Sequence, residues 1–171
     1  MKHVISALVE NEPGVLAHIA GMFSARGYNI DSLVVGRTED PAVSRMTIVA
    51  KGDDRIIEQI RKQLEKLVRV LKVRDLAAGN VVERDLMLIS VHSPPAKRGE
   101  IVDLVELFGG KVVDISQQHM MIELAGPEQK IDAFVDLCRP YGIITLARTG
   151  IIAMPRGRQE PARERPAGQD S

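Results

Sequence analysis

The stretch NEPGVLAHIAGMFSARGYNIDSLVV, Asn11 to Val35, carries the signals that set the fold. Asn11 or Glu12 is placed to cap a helix, and Pro13 suits the first helical position, where a missing N–H costs nothing. Val15, Leu16, Ile19, Met22 and Phe23 then recur at helical spacing along one face. Gly27 supplies the left-handed residue that stops a helix. Asn29 to Gly36 follows as a strand.

Working outward, Val4 to Val9 is a short apolar run that reads as a buried strand. Pro41 marks a turn, and SRMTIVA alternates, with Met46, Ile48 and Ala50 on one side. Asp53 caps a second helix carrying Ile56, Ile57, Ile60 and Leu64, and Val68 to Val73 completes a fourth strand. The order is β-α-β-β-α-β over residues 1–76. After a linker at 77–82, AAGNVV, the order recurs over 83–154. Leu86 to Val91 is a strand, and Ile101, Val102, Leu104, Val105 and Phe108 share a helix face that ends at Gly109–Gly110. Val112 to Ile115 and Met120 to Leu124 form a hairpin pair. Pro127 opens a helix with Ile131, Phe134, Val135 and Cys138, and Ile143 to Ala147 is the last strand. The fold class is therefore α+β, two ferredoxin-like units in tandem. The repeat lies in element order, with little likeness between individual residues. Residues 155–171, rich in Arg, Glu, Pro and Gly and without periodicity, read as a disordered tail.

Composition excludes several functions. Lys plus Arg and Asp plus Glu both number 23, so no basic surplus favours nucleic acid. RNA-binding modules of this topology stack bases on strand aromatics; Val4 to Val9 and Ser44 to Ala50 hold none. Cys138 is the sole cysteine, which rules out a disulfide framework, and it reads as a buried inert thiol. His3, His18, His92 and His119 lie far apart and make no metal spacing. Neither GxGxxG nor GxxxxGK occurs. The first residues lack a cleavage site and no apolar run approaches a membrane span, so a cytoplasmic location without membrane contact is expected.

In this topology the strands order 4-1-3-2, which leaves the second strand at an edge. That edge carries Ile30, Leu33, Val34 and Val35, with Asp31 its only formal charge before Arg37. An apolar edge without Pro or Lys invites pairing, and two copies would pair there about a two-fold axis. The partner's Asn29 would then approach the turn at Asn11–Leu16. The N–H groups of Gly14, Val15 and Leu16 would hold a carboxylate, and Gly14, lacking Cβ, would admit it closely. Asn11 and the partner's Asn29 would accept from an ammonium group, and Leu16, Ile30 and Val35 would receive a branched aliphatic chain. The same residues also fit a purely structural account: Asn11 as a cap, Gly14 as a tolerated first-turn residue, Asn29 as the exit from a turn.

The segments ENEPGVLAHIAGMFSARGYNIDSL, DPAVSRMTIVAKGDDRIIEQIRKQLEKLVRVLKVRDL, ERDLMLI and ARTGIIAMPRG together resemble the regulatory (small) subunit family of acetolactate synthase, also called acetohydroxyacid synthase. The resemblance covers nearly everything before the tail. It implies an N-terminal ACT domain and a smaller C-terminal domain of related topology. It also implies a non-catalytic chain that activates a large catalytic subunit and confers feedback inhibition by valine, or by leucine or isoleucine. Thiamine diphosphate, magnesium and FAD would sit on that partner and no cofactor on this chain. The family's effector site falls on the ACT–ACT interface, which places Asn11, Gly14, Val15 and Leu16 of one chain beside Asn29 and Ile30 of the other. A stand-alone amino-acid sensor is the alternative, although no helix-turn-helix or basic region is present to read DNA. An enzyme in its own right is a third reading.

Overall fold

A computed structural model describes residues 2–76 and 80–157. The described residues divide into two units, one of residues 2–76, 80–82 and 153–157 and the other of residues 83–152.

The first unit runs β1 (Lys2–Glu10), α1 (Val15–Ala25), β2 (Ile30–Arg37), β3 (Val43–Lys51), α2 (Asp54–Glu65) and β4 (Val70–Asp75). Its sheet is antiparallel in the order β2-β3-β1-β4, so β2 is an edge, as the sequence led us to expect. Alternation decides the faces. Ile5, Ala7 and Val9 of β1 and Met46, Ile48 and Ala50 of β3 point to one side. They meet Val15, Ile19 and Phe23 of α1 and Ile57, Ile60 and Leu64 of α2, all buried. Phe23 and Tyr28 meet edge to face, with ring centroids 6.1 Å apart.

Helix starts differ. Asp53 caps α2 as expected, its carboxylate accepting from the Ile56 N–H at 2.8 Å. At α1 neither Asn11 nor Glu12 is the cap and Pro13 is not the first helical residue. Gly14 holds the cap position at φ 86°, ψ −13°, without a side-chain cap. The Val15 N–H reaches back to the Glu12 carbonyl at 3.5 Å. Those angles are the third position of a type II turn, which takes Pro second and Gly third. Pro13–Gly14 is thus a turn ahead of the helix rather than part of it. The fourth strand begins two residues later than the periodicity placed it, because Val68 stays in the turn, 74% exposed.

The second unit follows as β5 (Val81–His92), α3 (Arg98–Leu107), β6 (Lys111–Ile115), β7 (His119–Gly126), α4 (Glu128–Cys138), a 3-10 turn (Arg139–Tyr141) and β8 (Ile143–Arg148). The sheet order is β6-β7-β5-β8, and β9 (Ile152–Pro155) pairs with β5. Met87, Ile89, Val91, Met120, Ile122 and Leu124 face Ile101, Val105, Ile131, Phe134 and Cys138 in a second core.

Two boundaries need correction. Val81 and Val82 belong to β5 rather than to a linker, and residues 77–79 of that linker lie outside the described residues. Likewise β8 is not the last strand, since β9 carries the chain through Pro155, where the tail was expected to begin. Residues 158–171 of that tail lie outside the described residues.

Candidate functional site

The β1–α1 loop is fixed from two sides. The Asn11 backbone N–H donates to the Ala42 carbonyl at 2.7 Å, and its side-chain amide donates to the Pro41 carbonyl at 2.9 Å. The β2–β3 hairpin therefore clamps the residue that opens the loop. Arg69 pairs with Glu12 on the opposite flank. With its nitrogen spent on Pro41, the Asn11 amide keeps its oxygen for another donor.

The helix start is only partly as expected. The Val15 amide is engaged by Glu12, while those of Gly14 and Leu16 find no backbone acceptor among the described residues. Val15 offers the site its backbone alone, because its side chain is buried in the core. Leu16 does the opposite of what the apolar face implied: it is 47% exposed beside the loop. Nothing lies within 4 Å of the position where a Gly14 Cβ would stand. Glycine is required there by its positive φ, and the loop above it is open.

Asn29 and Ile30 are elsewhere. Asn29 precedes β2, its amide donating to Asp31 at 3.1 Å, and Asp31 in turn pairs with Lys51 at 3.0 Å. Ile30 is half-buried against the first core and stands opposite Ala50, at the end of the sheet where His3 lies. Val35 stands opposite Met46, near the loop end, and is 43% exposed. Eleven residues of α1 span about 16 Å, so within one chain the structure does not bring Asn29 and Ile30 to Asn11–Leu16. It does place the two groups at opposite ends of an exposed edge strand.

Among the described residues no three His, Cys, Asp or Glu side chains converge as metal ligands. His3 is buried, with its ring nitrogens 3.7 Å from Asp54 and from Asp75. Burial pushes the Cys138 thiol up to about 11. No helix among the described residues is long and apolar enough to cross a membrane.

A repeat at residue level, faint in the side chains, emerges from the coordinates with a step of 82 as far as the second strand of each unit. Val9 and Val91, Ile19 and Ile101, and Phe23 and Val105 are equivalent buried residues. Gly27 and Gly109 both have positive φ, 67° and 64°. The edge strands break register at Ile30/Ser32 and at Val112/Asp114. Asn11 N–H donates to Ala42 O, and Ser93 N–H to Gln118 O, the acceptors lying 76 apart because the second hairpin is shorter by six residues. The identical pairs Val9/Val91, Pro13/Pro95, Ile19/Ile101 and Gly27/Gly109 were the available signal.

Two sheets of this order, each with two helices on one face, and an open glycine turn ahead of the first helix define a tandem protein of the ACT type. Residues 5–72 match the AHAS small subunit-like ACT domain, and residues 84–157 match the family described as the small subunit of acetolactate synthase. The chain belongs to the acetolactate synthase small-subunit family. It is 54% identical over 160 residues to a probable acetolactate synthase small subunit of Archaeoglobus fulgidus, covering 94% of this chain and 100% of that one. With the acetolactate synthase isozyme 3 small subunit of Escherichia coli it shares 43% over 158 residues, covering 92% and 97%. The crystal structure of the Thermotoga maritima acetolactate synthase small subunit superposes with a TM-score of 0.85 at 43% identity, covering 93% and 99%.

Proposed function

We propose that the chain is a non-catalytic regulatory subunit that binds valine, or another branched-chain amino acid, between the ACT domains of two copies. In the cytoplasm it would activate a catalytic acetolactate synthase subunit and confer feedback inhibition on it. Thiamine diphosphate, magnesium and FAD belong to that partner in this reading, and this chain carries no cofactor.

The observation that carries the proposal is the separation of the candidate residues along β2. Antiparallel pairing of β2 with a second β2 sets the partner's Asn29 and Ile30 against the Asn11–Leu16 loop. Asn29 is then an acceptor for the ammonium group, the loop amides meet the carboxylate, and Leu16 and Val35 take the branched side chain. Inhibition follows only if the ligand-preferred arrangement of the dimer differs from the one the catalytic subunit prefers. A coupling of about 1–3 kcal/mol suffices for a useful switch.

Gly14→Asp tests the site. Its carboxylate would occupy the open space and repel that of the ligand, so valine inhibition of the assembled holoenzyme should disappear while activation persists. A folded, activating Gly14→Asp subunit that retained full inhibition would place the effector elsewhere.

A further inference from the structure

The repeat puts His3 and Asp85 at equivalent places on β1 and β5, 82 residues apart. Their neighbours across the sheet are equivalent too. Asp75 stands opposite Ile5 and Arg148 opposite Met87, and Ile5 and Met87 are again 82 apart. In the second unit the cation of this diagonal is on the edge strand, where Arg148 reaches Asp85 on β5 and Asp132 on α4. In the first unit the charges are exchanged. His3 on β1 has Asp75 of β4 3.7 Å from Nδ1 and Asp54 of α2 3.7 Å from Nε2. Each unit thus sets one basic side chain between two carboxylates, one on the neighbouring strand and one on the unit's second helix.

A neutral imidazole does not suit that setting. It carries one N–H and one lone pair, whereas both facing groups are acceptors when ionised. One nitrogen would turn its lone pair on a carboxylate oxygen. Both ring nitrogens are buried, and neither has a hydrogen-bond partner. At 3.7 Å each stands just beyond bonding distance. The imidazolium carries two N–H groups, one for each carboxylate. Burying a charge costs unless it is paired, and here two partners are at hand. Among the described residues no other charged group pairs with the ring. The Asp53 carboxylate is taken by the Ile56 N–H. Lys2 and Lys51 alternate with His3 and Ala50, so they point to the other face of the sheet. Neither α1 nor β2 brings a charged side chain into ion-pair reach of it.

We propose that protonated His3 is the first unit's counterpart of Arg148, an imidazolium that ties β1 to β4 and α2, so that this unit's fastening responds to pH where that of the second unit does not. The tie is complete while the ring holds its second proton and is lost as pH rises and that proton leaves. Arg148 keeps its charge throughout. His3, Ala50 and Ile30 lie in one row, so the tie closes the end of the sheet at which Ile30 of the proposed effector site stands. The tie itself does not rest on the effector reading.

Hydrogen exchange of the full chain, expressed as protection so that intrinsic rates cancel, tests this at about pH 5.5 and about pH 8, either side of the ordinary imidazole range. The amides of β1 and β3 should lose protection at least about threefold at the higher pH, while those of Met87 and Ile89 on β5 keep theirs. His3→Gln cannot take the charge. It should bring protection at the lower pH down to the parent's level at the higher and abolish the dependence. His3→Arg carries a permanent charge, as Arg148 does, and should hold the stronger protection at both. A parent equally protected at both pH values, or an equal loss in β5, would overturn the proposal. So would a folded His3→Gln that kept the parent's dependence. Should His3→Gln fail to fold, His3→Arg decides, and the parent's pH dependence persisting there would overturn it equally.

Discussion

At the scale of single residues, what could be read depended on whether one physical rule or two applied. Asp53 was legible as a cap because an acidic side chain ahead of an amphipathic run has one good use, and its carboxylate does meet the Ile56 N–H. Pro13–Gly14 was misread because two rules compete: proline suits a first helical turn, and Pro-Gly suits a type II turn. The positive φ of Gly14 decides for the turn. Leu16 illustrates the same limit, since it satisfies the helical period and is nevertheless exposed. Cys138 was simpler. Burial removes it from solvent and raises its thiol to about 11, so little thiolate exists at neutral pH. Labelling by a disulfide reagent should therefore be negligible in the native chain and reach one thiol per chain after unfolding. Rapid labelling of the folded protein would show that helix α4 opens locally.

At the scale of elements, periods of 2 and 3.6 found every α-helix and all strands but one among the described residues. β7 and the middle of β5 alternate between buried and more exposed residues, whereas β1 and β3 are buried on both faces over most of their length, so their helix-facing residues were found from the alternation of side-chain direction and not of burial. β9 was missed because its four residues follow Gly150, too short a run to show a period. The start of β4 slipped because Val68 is apolar yet lies in the turn. The edge strand β2 is the element on which the proposed effector site depends. Val35 is exposed near its loop end, so Val35→Lys would put a charge into the paired edges without disturbing the core. If the proposed dimer forms there, sedimentation should show it weakened at least tenfold, a change worth about 1.4 kcal/mol, with valine binding falling in parallel. An unchanged mass and undiminished binding would mean that the copies meet elsewhere.

At the scale of the whole molecule, the tandem plan was legible from element order, but the correspondence between the halves was not. The two cores mostly use different side chains at equivalent places, such as Phe23 and Val105, and the few that recur, Val9 with Val91 and Ile19 with Ile101 beside the Pro and Gly pairs, are too scattered to reveal the repeat. Each half also has its own fastening. In the second, Arg148 gives Nε and Nη2 to the buried Asp85 at 2.8 and 2.5 Å and Nη1 to Asp132 at 2.7 Å, tying β5, β8 and α4 together. Removing one partner strands a buried charge, which costs about 3–5 kcal/mol. Arg148→Met should thus cause hydrogen-exchange protection to collapse in 83–152 while the first unit's β1 and β3 keep theirs. Uniform loss across both halves would show that they unfold as one.

The matched breaks in register have a last consequence. Past the break, β2 still offers the length of Ser32 to Arg37 for zipping to a neighbour, but β6 offers only Asp114 and Ile115. Of these two equivalent rims the first is the longer, and it is the one through which the proposed dimer would form. A molecule with two adhesive rims could add copies at both and grow into a ribbon. One that paired through a single rim, as proposed for β2, would join a second copy and stop, closed by its own symmetry.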